Sequence, residues 1–295
     1  MSQTGRIYKL TIGDPKEGKG FEIQNLTVSF DVVKSSDNSK KNSNNATVQI
    51  YNLSRDNQKF LERPYIQATL DVGYFDTGLK RLLTGEVVLA NTKKTNDGTS
   101  ITELRFEGSY KDLTLSMLST TIAPNRTCRD AVEEISKSLP NVSKNVLNGS
   151  AIDSKLIYGY PLHSSARQAL DDLAKCYRFE WQVDNETLYV NDINSSHSRD
   201  TKLVQVINER SGLIERPYAI LTKDTSVKVK KGETRPMLKQ LQLKILLNAE
   251  LVAGSTIKVQ YEDIDAFYRV DEVRHSGSNN EDEWYSDIQC TFLNT

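Results

Sequence analysis

The sequence has few of the residues that carry most catalytic and metal-binding chemistry. Its 295 residues include only three cysteines and three histidines. The histidines form no His-x-x-x-His pattern and no Cys/His cluster, so we expect no metal site and no cofactor. Cys128, Cys176 and Cys290 are odd in number and far apart, which favours reduced thiols in a cytoplasmically made protein over a disulfide framework.

Long apolar runs and an excess of positive charge are also missing. No apolar stretch approaches the roughly 20 residues of a membrane-spanning helix, and the chain does not open with the basic and apolar segments of a secretory signal. The net charge is −1, whereas nonspecific binding to nucleic acid or to an anionic membrane depends on a basic excess. We therefore expect no membrane insertion and no specific nucleic-acid binding.

The first hundred residues alternate apolar and polar positions, which predicts half-buried β-strands. The alternating runs cover residues 26–32, 46–50, 66–74, 82–92 and 100–107. Residues 35–45 contain no apolar residue and predict an exposed loop, and Asn96-Asp97-Gly98 suits a hairpin turn. Short strands joined by turns are typical of a barrel or a sandwich.

The middle of the chain has a mixed pattern that predicts a small α/β domain. Thr127 can cap a helix that Pro140 ends, and Ser165 and Gln168 have the spacing of a capping box for a second helix. The apolar faces consist of Ala131, Val132, Ile135 and Leu139 in the first helix, and of Ala166, Ala169, Leu170, Leu173, Ala174 and Tyr177 in the second. Residues 179–190 then predict a hairpin that turns at Asp184-Asn185.

A polar run at residues 194–198 predicts a linker, and strand patterning returns after it. Residues 241–247, 257–261 and 284–292 alternate most clearly. The stretch 211–292 carries no visible chemistry, so we interpret it as a surface for assembly. With 37% hydrophobic and 26% charged residues the chain can form real cores, and we expect an α+β protein that is mainly β, with two or three domains.

Each residue that could carry catalysis has a more ordinary interpretation. His275 beside Arg274 could act as a base, but an isolated histidine is far more often structural or at the surface. Cys128 near a helix start could have a lowered pKa, but no histidine lies near it in sequence. The paired carboxylates at residues 133–134 and 171–172 point in different directions on their helices, and we expect them to face solvent.

Glycine and lysine patterns are equally weak. Gly18-Lys19-Gly20 lacks the rest of a phosphate-binding loop, and Lys228, Lys230 and Lys231 lack the interleaved aromatic residues of a nucleic-acid site. We therefore expect no catalytic residues and a protein that is not an enzyme.

Charge is unevenly distributed near the end of the chain. Residues 223–244 are basic and residues 262–287 are mostly acidic. Such runs are usually solvated faces, and the more specific interpretation is complementary contact between neighbouring subunits.

Short segments spread over nearly the whole chain have a familiar order and spacing. They are residues 83–87, 127–132, 160–162, 166–174, 179–181, 188–190, 211–214, 247–248, 268–270 and 275–277, together with Pro217, Gly254 and Trp284. In this order they resemble the baseplate hub proteins of contractile phage tails, the late control protein D type. Where such hubs often have His-x-Gly-Asp, this chain has Ser278 after Gly277.

The resemblance implies a tube-attachment-like β-barrel at residues 1–109, the small α/β domain at residues 110–193 and a second β-barrel at residues 194–295. It further implies a homotrimer, whose six barrels form a ring between a sixfold tail tube and a threefold spike. The expected partners are the tail tube protein, the central spike protein and other baseplate proteins. The expected location is the tail baseplate of a virion assembled in the host cytoplasm.

Other functions fit the same sequence. The chain could be the hub of a tailocin or of a non-contractile tail tip. It could also be a tail-associated cell-wall hydrolase or a carbohydrate-binding β protein, although no persuasive paired-carboxylate or metal site supports a hydrolase.

Overall fold

The computed structural model describes residues 5–14, 17–36, 44–64, 66–193, 195, 204–223 and 237–293. This part of the chain contains many strands and four short α-helices, so the expected α+β, mainly β class is confirmed. We call the described residues up to 109 the first β region, residues 110–193 the α/β unit and those from 195 the second β region.

The strands and helices are distributed as follows. The strands are β1 (Arg6–Asp14), β2 (Lys19–Ile23), β3 (Val28–Ser35), β4 (Asn45–Tyr51), β5 (Gln67–Tyr74), β6 (Gly78–Lys94), β7 (Ser100–Glu107), β8 (Thr120–Ile122), β9 (Arg126–Thr127), β10 (Lys144–Leu147), β11 (Lys155–Leu156), β12 (Tyr160–Leu162), β13 (Phe179–Asp184), β14 (Thr187–Asp192), β15 (Gln205–Ile207), β16 (Tyr218–Lys223), β17 (Met237–Leu246), β18 (Thr256–Tyr261), β19 (Ile264–Ser278) and β20 (Trp284–Phe292). The helices are α1 (Arg55–Phe60), α2 (Tyr110–Leu115), α3 (Cys128–Lys137) and α4 (Ala166–Tyr177), with single 3₁₀ turns at Ala151–Asp153 and Glu209–Ser211.

One 13-stranded sheet runs through both β regions. Its main path is β16-β17-β20-β19-β3-β4-β7-β6-β5-β1-β2, and β18 and β15 branch from β19. Neighbours on the main path are antiparallel, whereas β15 is parallel to β18. The α/β unit has its own three-stranded sheet, in the order β10-β14-β13.

The long strand β19 joins the two β regions. Its first half, up to Arg269, pairs with β18, and its second half, from Glu272, pairs with β3. The register against β20 shifts between Val270 and Glu272, which makes Asp271 a β-bulge at the point where β19 changes partner. We call the β3–β19 ladder the seam.

The buried apolar side chains form three clusters. One lies in the first β region, one in the α/β unit and one in the second β region. The first cluster also takes in Leu247, Ala249 and Trp284 from the second β region. The Trp284 ring packs edge-on against Phe30, with 5.2 Å between ring centroids, so the two β regions share apolar packing across the seam.

The two predicted helices of the α/β unit are confirmed. Thr127 caps α3 in a full capping box, since its hydroxyl accepts from the Asp130 N–H and the Asp130 carboxylate accepts from the Thr127 N–H. Ser165 caps α4, but Gln168 completes no box because its side chain donates to Asp172 instead. The short helices α1 and α2 carry too few apolar positions to be recognised by periodicity.

The predicted turns are confirmed, but the predicted loop is wrong at its ends. The chain turns between β6 and β7 at residues 95–99 and between β13 and β14 at Asn185 and Glu186, both with positive φ. Ser35, Ser36 and Asn44, which lie at the two ends of the expected exposed loop, are instead buried. They are buried because they contact the α/β unit and the second β region.

The predicted linker lies largely outside the described residues, and so do Lys228, Lys230 and Lys231. The division into three domains and the closure of two barrels stay predictions.

Replacing Trp284 by alanine tests the packing across the seam. We expect Trp284→Ala to lower the free energy of unfolding by about 3–5 kcal/mol, because the change leaves a large cavity beside Phe30. Tyr158→Ala is the control, since Tyr158 is 88% exposed and its loss should cost about 0.5 kcal/mol at most. Urea unfolding measures the loss of free energy of unfolding in both variants. Equal losses would contradict the packing of Trp284 across the seam.

Candidate functional site: a buried polar junction and two open sheet edges

Strand β13 is buried on both faces, although its sequence alternates. Phe179, Trp181 and Val183 belong to the apolar core of the α/β unit. Successive side chains of a strand point to opposite faces, so Glu180 and Gln182 face the other way, together with Asp184. This second face packs against the two β regions rather than water, and Gln182 and Asp184 are buried.

Asp184 binds the first β region through an ion pair. The Lys34 Nζ donates to Asp184 Oδ1 at 3.0 Å, and the two side chains are only 2% and 4% exposed. Asn44 Nδ2 donates to the Val183 carbonyl at 2.9 Å, and the Asn185 side-chain oxygen accepts from the Thr84 N–H at 3.2 Å. The turn of the β13–β14 hairpin is thereby held against the end of β3.

Glu180 and Gln182 bind the second β region. The Arg269 guanidinium donates to Glu180, and it also donates to Ser36 Oγ at 2.5 Å. Gln182 Nε2 donates to the Ala253 carbonyl at 2.7 Å. Arg269 is buried. Its contacts with Ser36 and Glu180 bring together one side chain from each of the three parts of the chain.

The bulge residue Asp271 completes this network. Its carboxylate lies 3.5 Å from Arg269 Nε and accepts from Gln240 Nε2 at 2.8 Å and from Thr291 Oγ1 at 2.6 Å. A buried charge is costly unless it is paired and hydrogen-bonded, and these contacts supply both. We call the set Lys34, Ser36, Asn44, Glu180, Gln182, Asp184, Arg269 and Asp271 the polar junction.

Sequence reasoning missed the polar junction, although one signal was present. Lys34 follows Val28, Phe30 and Val32 at alternate positions of β3, so it lies on the core-facing side of its strand. A charge at such a position needs a buried partner. The partner lies 150 residues away, and the sequence pattern gives no means of finding it.

His275, the candidate base, is a buried structural residue. Its side chain is fully buried, and Nδ1 lies 2.8 Å from Ser286 Oγ. Burial, and secondarily the nearby Lys34 charge, lower the pKa of His275 to about 3. A group that is neutral and out of reach of solvent cannot exchange protons with a bound substrate.

The other candidates for catalysis have structural surroundings too. Cys128 is buried, and burial raises its pKa to about 12, the opposite of thiol activation. The expectation that Asp171 faces solvent is wrong: it is half-buried and accepts from Trp181 Nε1 at 3.1 Å, because a buried indole N–H needs an acceptor. Glu134 pairs with Lys137 at 2.9 Å, and Glu133 is exposed.

Charged residues of the acidic segment find partners within the chain. Asp287 is the cross-strand neighbour of both Lys244 and Arg274, and Lys258 pairs with Asp265 at 2.9 Å. Some acidic residues of this segment therefore face basic partners within the chain, and most of the basic segment lies outside the described residues. Complementarity between subunits stays a hypothesis.

Two stretches of sheet edge lack a second strand partner and carry exposed apolar side chains. Among the described residues, β16 has β17 as its only strand partner, and β6 has only β7 beyond Glu86. Leu221 on β16 is 67% exposed, Tyr218 is exposed on the opposite face of the same strand, and Val88 and Leu89 are exposed on β6. We call these stretches the β16 edge and the β6 edge.

The β2 edge of the large sheet is protected by charge. Lys19 pairs with Glu17 at 3.4 Å, and Glu22 pairs with Lys9 at 2.6 Å. Charged side chains on an edge strand discourage further strand pairing. The β16 and β6 edges carry exposed apolar side chains, although β6 ends in the exposed lysines Lys93 and Lys94.

Within the described ranges, no three or more His, Cys, Asp or Glu side chains are grouped so as to hold a metal ion. None of the described helices is long and apolar enough to span a membrane.

Comparisons with known proteins define the class of fold. No protein-family model matches the chain, and no curated protein sequence matches it. Among solved structures, the tail protein from Neisseria meningitidis MC58 is 11% identical with a TM-score of 0.63, over 97% of this chain and 96% of that one. The 43 kDa tail protein of prophage MuSo2 from Shewanella oneidensis is 12% identical with a TM-score of 0.63, over 98% of each chain.

A third similar structure comes from a secretion system. The E. coli c3393 protein, a component of the type VI secretion system with structural similarity to T4 bacteriophage tail proteins gp27 and gp5, is 14% identical with a TM-score of 0.57. The match covers 91% of this chain and 74% of that one. At these identities the similarity concerns the fold, and the fold of this chain is that of phage tail proteins.

Breaking the Lys34–Asp184 pair tests the polar junction. We expect Lys34→Met alone to lower the free energy of unfolding by about 3–5 kcal/mol, because it leaves Asp184 buried without its cation. The double variant Lys34→Met/Asp184→Leu should recover most of that loss, since it leaves no unpaired charge. Denaturant unfolding measures the free energy of unfolding of both variants. A double variant as unstable as the single one would contradict the role of the buried ion pair.

His275 makes stability depend on pH. Its folded pKa lies below its unfolded value of about 6.5, so the unfolded state binds more protons between pH 6.5 and pH 3. Stability should therefore fall as the pH drops through this window, by up to about 1.4 kcal/mol per pH unit from this one group. Urea unfolding midpoints of wild type and His275→Asn, measured across this pH range, isolate the contribution of His275. The midpoint of the variant should depend less steeply on pH. Equal pH dependence in the two proteins would exclude a contribution from His275.

Proposed function

We propose that this protein is a structural, non-enzymatic hub of a phage tail baseplate. Three copies form a ring that adapts a sixfold tail tube to a threefold central spike. The observation that carries the proposal is the unbroken run of eight antiparallel strands from β16 to β6. Among the described residues, β16 and the part of β6 beyond Glu86 have no further strand partner, and both carry exposed apolar side chains. The similarity to phage tail proteins and the resemblance to the late control protein D type of hub support it.

Each chain contributes two related halves to such a ring. The first and second β regions have separate apolar cores on the two sides of the seam, which supports two β-barrel domains at residues 1–109 and 194–295. The α/β domain at residues 110–193 lies between them in sequence and has a core of its own. Six barrel-like units from three chains would present a pseudo-sixfold face to the tube and keep threefold symmetry for the spike.

The two open edges explain how the copies would join. A long, exposed apolar edge strand is a liability unless another strand or element covers it. Pairing of the β16 edge of one copy with the β6 edge of the next is a heterologous contact, and such contacts close into a ring when the rotation between copies is a whole fraction of a turn. Main-chain hydrogen bonds would give the contact its register, and Tyr218, Leu221 and Leu89 would supply apolar burial.

The same proposal sets the partners and the location. The ring contacts the tail tube protein, the central spike protein and other baseplate proteins, and it is part of the virion. For a cell-wall hydrolase, the described residues offer no group of three or more metal-ligating side chains, and Cys128 and His275 are both buried.

A charge placed in the β16 edge tests the trimer. Wild type should have a solution mass of about 100 kDa, three times the chain mass of 33.3 kDa, and Leu221→Asp should be monomeric because it places a carboxylate in the apolar contact. Ile157→Asp is the matched control, since Ile157 is likewise 67% exposed but lies in the α/β unit, and it should remain trimeric. Light scattering after size exclusion measures all three, and a wild type that stays monomeric and binds neither tube nor spike protein would refute the hub.

A further inference from the structure

The seam is the only strand ladder between the two β regions in the described part of the chain. It pairs Glu272–Ser278 of β19 with Ser29–Ser35 of β3. At one end Gly277 lies opposite Phe30, where Trp284 packs on the Phe30 ring. The other end, at Ser35 and Glu272, adjoins the polar junction.

Strand β13 crosses the seam at this second end. Its Asp184 binds Lys34 on one side of the seam, and its Glu180 binds Arg269 on the other. Glu180 and Asp184 are four positions apart on the strand, a span of about 13 Å between their Cα atoms. A single strand of the α/β unit is thus fixed to both β regions at once.

A ladder by itself leaves the angle between two sheet halves adjustable. Neighbouring strands twist against each other over a range of about −10° to −35°, and the bulge at Asp271 adds local bending. Apolar surfaces can shift against one another, whereas a buried ion pair is stabilising only in a narrow geometry. The polar junction therefore removes a freedom that the seam leaves open.

We propose that β13 is a brace that sets the angle between the first and second β regions, with Lys34, Asp184, Arg269 and Glu180 as its positioning residues. The consequence for assembly rests on the proposed function: in a three-copy ring each chain must supply one third of a turn, and an error in the internal angle is repeated three times. The brace itself is a property of one chain and can be measured without a ring.

The test measures the angle as a distance between spin labels in a monomer. The labels are attached at Arg55 on α1 and Lys239 on β17, both of which are exposed. The background carries Cys176→Ser, which removes the exposed native thiol, and Leu221→Asp, which keeps the protein monomeric. The other two cysteines, Cys128 and Cys290, are buried. Without further change the distance distribution should be narrow. Adding Lys34→Met/Asp184→Leu should broaden it at least twofold while the protein remains folded by circular dichroism.

The matched control applies the same substitutions to a surface ion pair. Lys9→Met/Glu22→Leu removes a pair within the first β region and should leave the distribution unchanged. If Lys34→Met/Asp184→Leu does not fold, Lys34→Gln/Asp184→Asn removes the charges and keeps a hydrogen bond, and the same broadening is expected. The brace is overturned if a folded junction variant has a label-to-label distance distribution as narrow as that of the labelled protein without junction substitutions.

Assembly is measured separately, without labels and with Leu221 intact. Lys34→Met/Asp184→Leu should lower the trimer fraction at least tenfold relative to Lys9→Met/Glu22→Leu. A monomeric wild type would refute the ring and leave the distance test of the brace valid. A broadened distribution with an undiminished trimer would refute the role of the brace in ring closure.

Discussion

The architecture depends on two charges buried between three parts of one chain. Lys34 and Arg269 lie in different β regions, and both are neutralised by carboxylates of β13 in the α/β unit. Removing such groups from water costs several kcal/mol per ion, so the arrangement is stable only when every partner is in place. The α/β unit cannot shift against either β region without exposing or orphaning one of these charges. The relative placement of the three parts is therefore specified by electrostatics as well as by packing.

The same constraint explains the irregularity in β19. A regular strand would keep one neighbour along its length, but β19 exchanges β18 for β3 where Asp271 bulges out of the ladder. The bulge places the Asp271 carboxylate beside Arg269 and within reach of Gln240 and Thr291. One local distortion thus permits the sheet to pass from one β region to the other and completes the charge network at that point. The proposed hub would need this combination, because its two halves must be continuous and held at one angle.

Several elements were predictable because their signals are local. The capping box of α3 uses Thr127 and Asp130, three residues apart, and the apolar faces of α3 and α4 follow the helical period. The turn has positive φ at Asn185 and Glu186, and asparagine is one of the residues that tolerate this conformation, which is a local signal. The prediction of an exposed loop after β3 was wrong at its ends because the signal there is not local. Ser36 and Asn44 are polar, but they are buried against hydrogen-bond partners from distant parts of the chain.

The sequence by itself determined the mainly β class, the helical middle segment, and the order of segments that resembles a tail hub. These properties follow from periodicity and capping over a few residues, where backbone geometry leaves little choice. Only the tertiary structure decided that β13 is buried on both faces, that His275 is structural and that the β16 and β6 edges are open. Each of these depends on contacts between residues far apart in the chain, such as Lys34 with Asp184 and Arg269 with Glu180. An alternating strand has the same pattern whether its polar face meets water or a buried countercharge, and only the fold distinguishes the two.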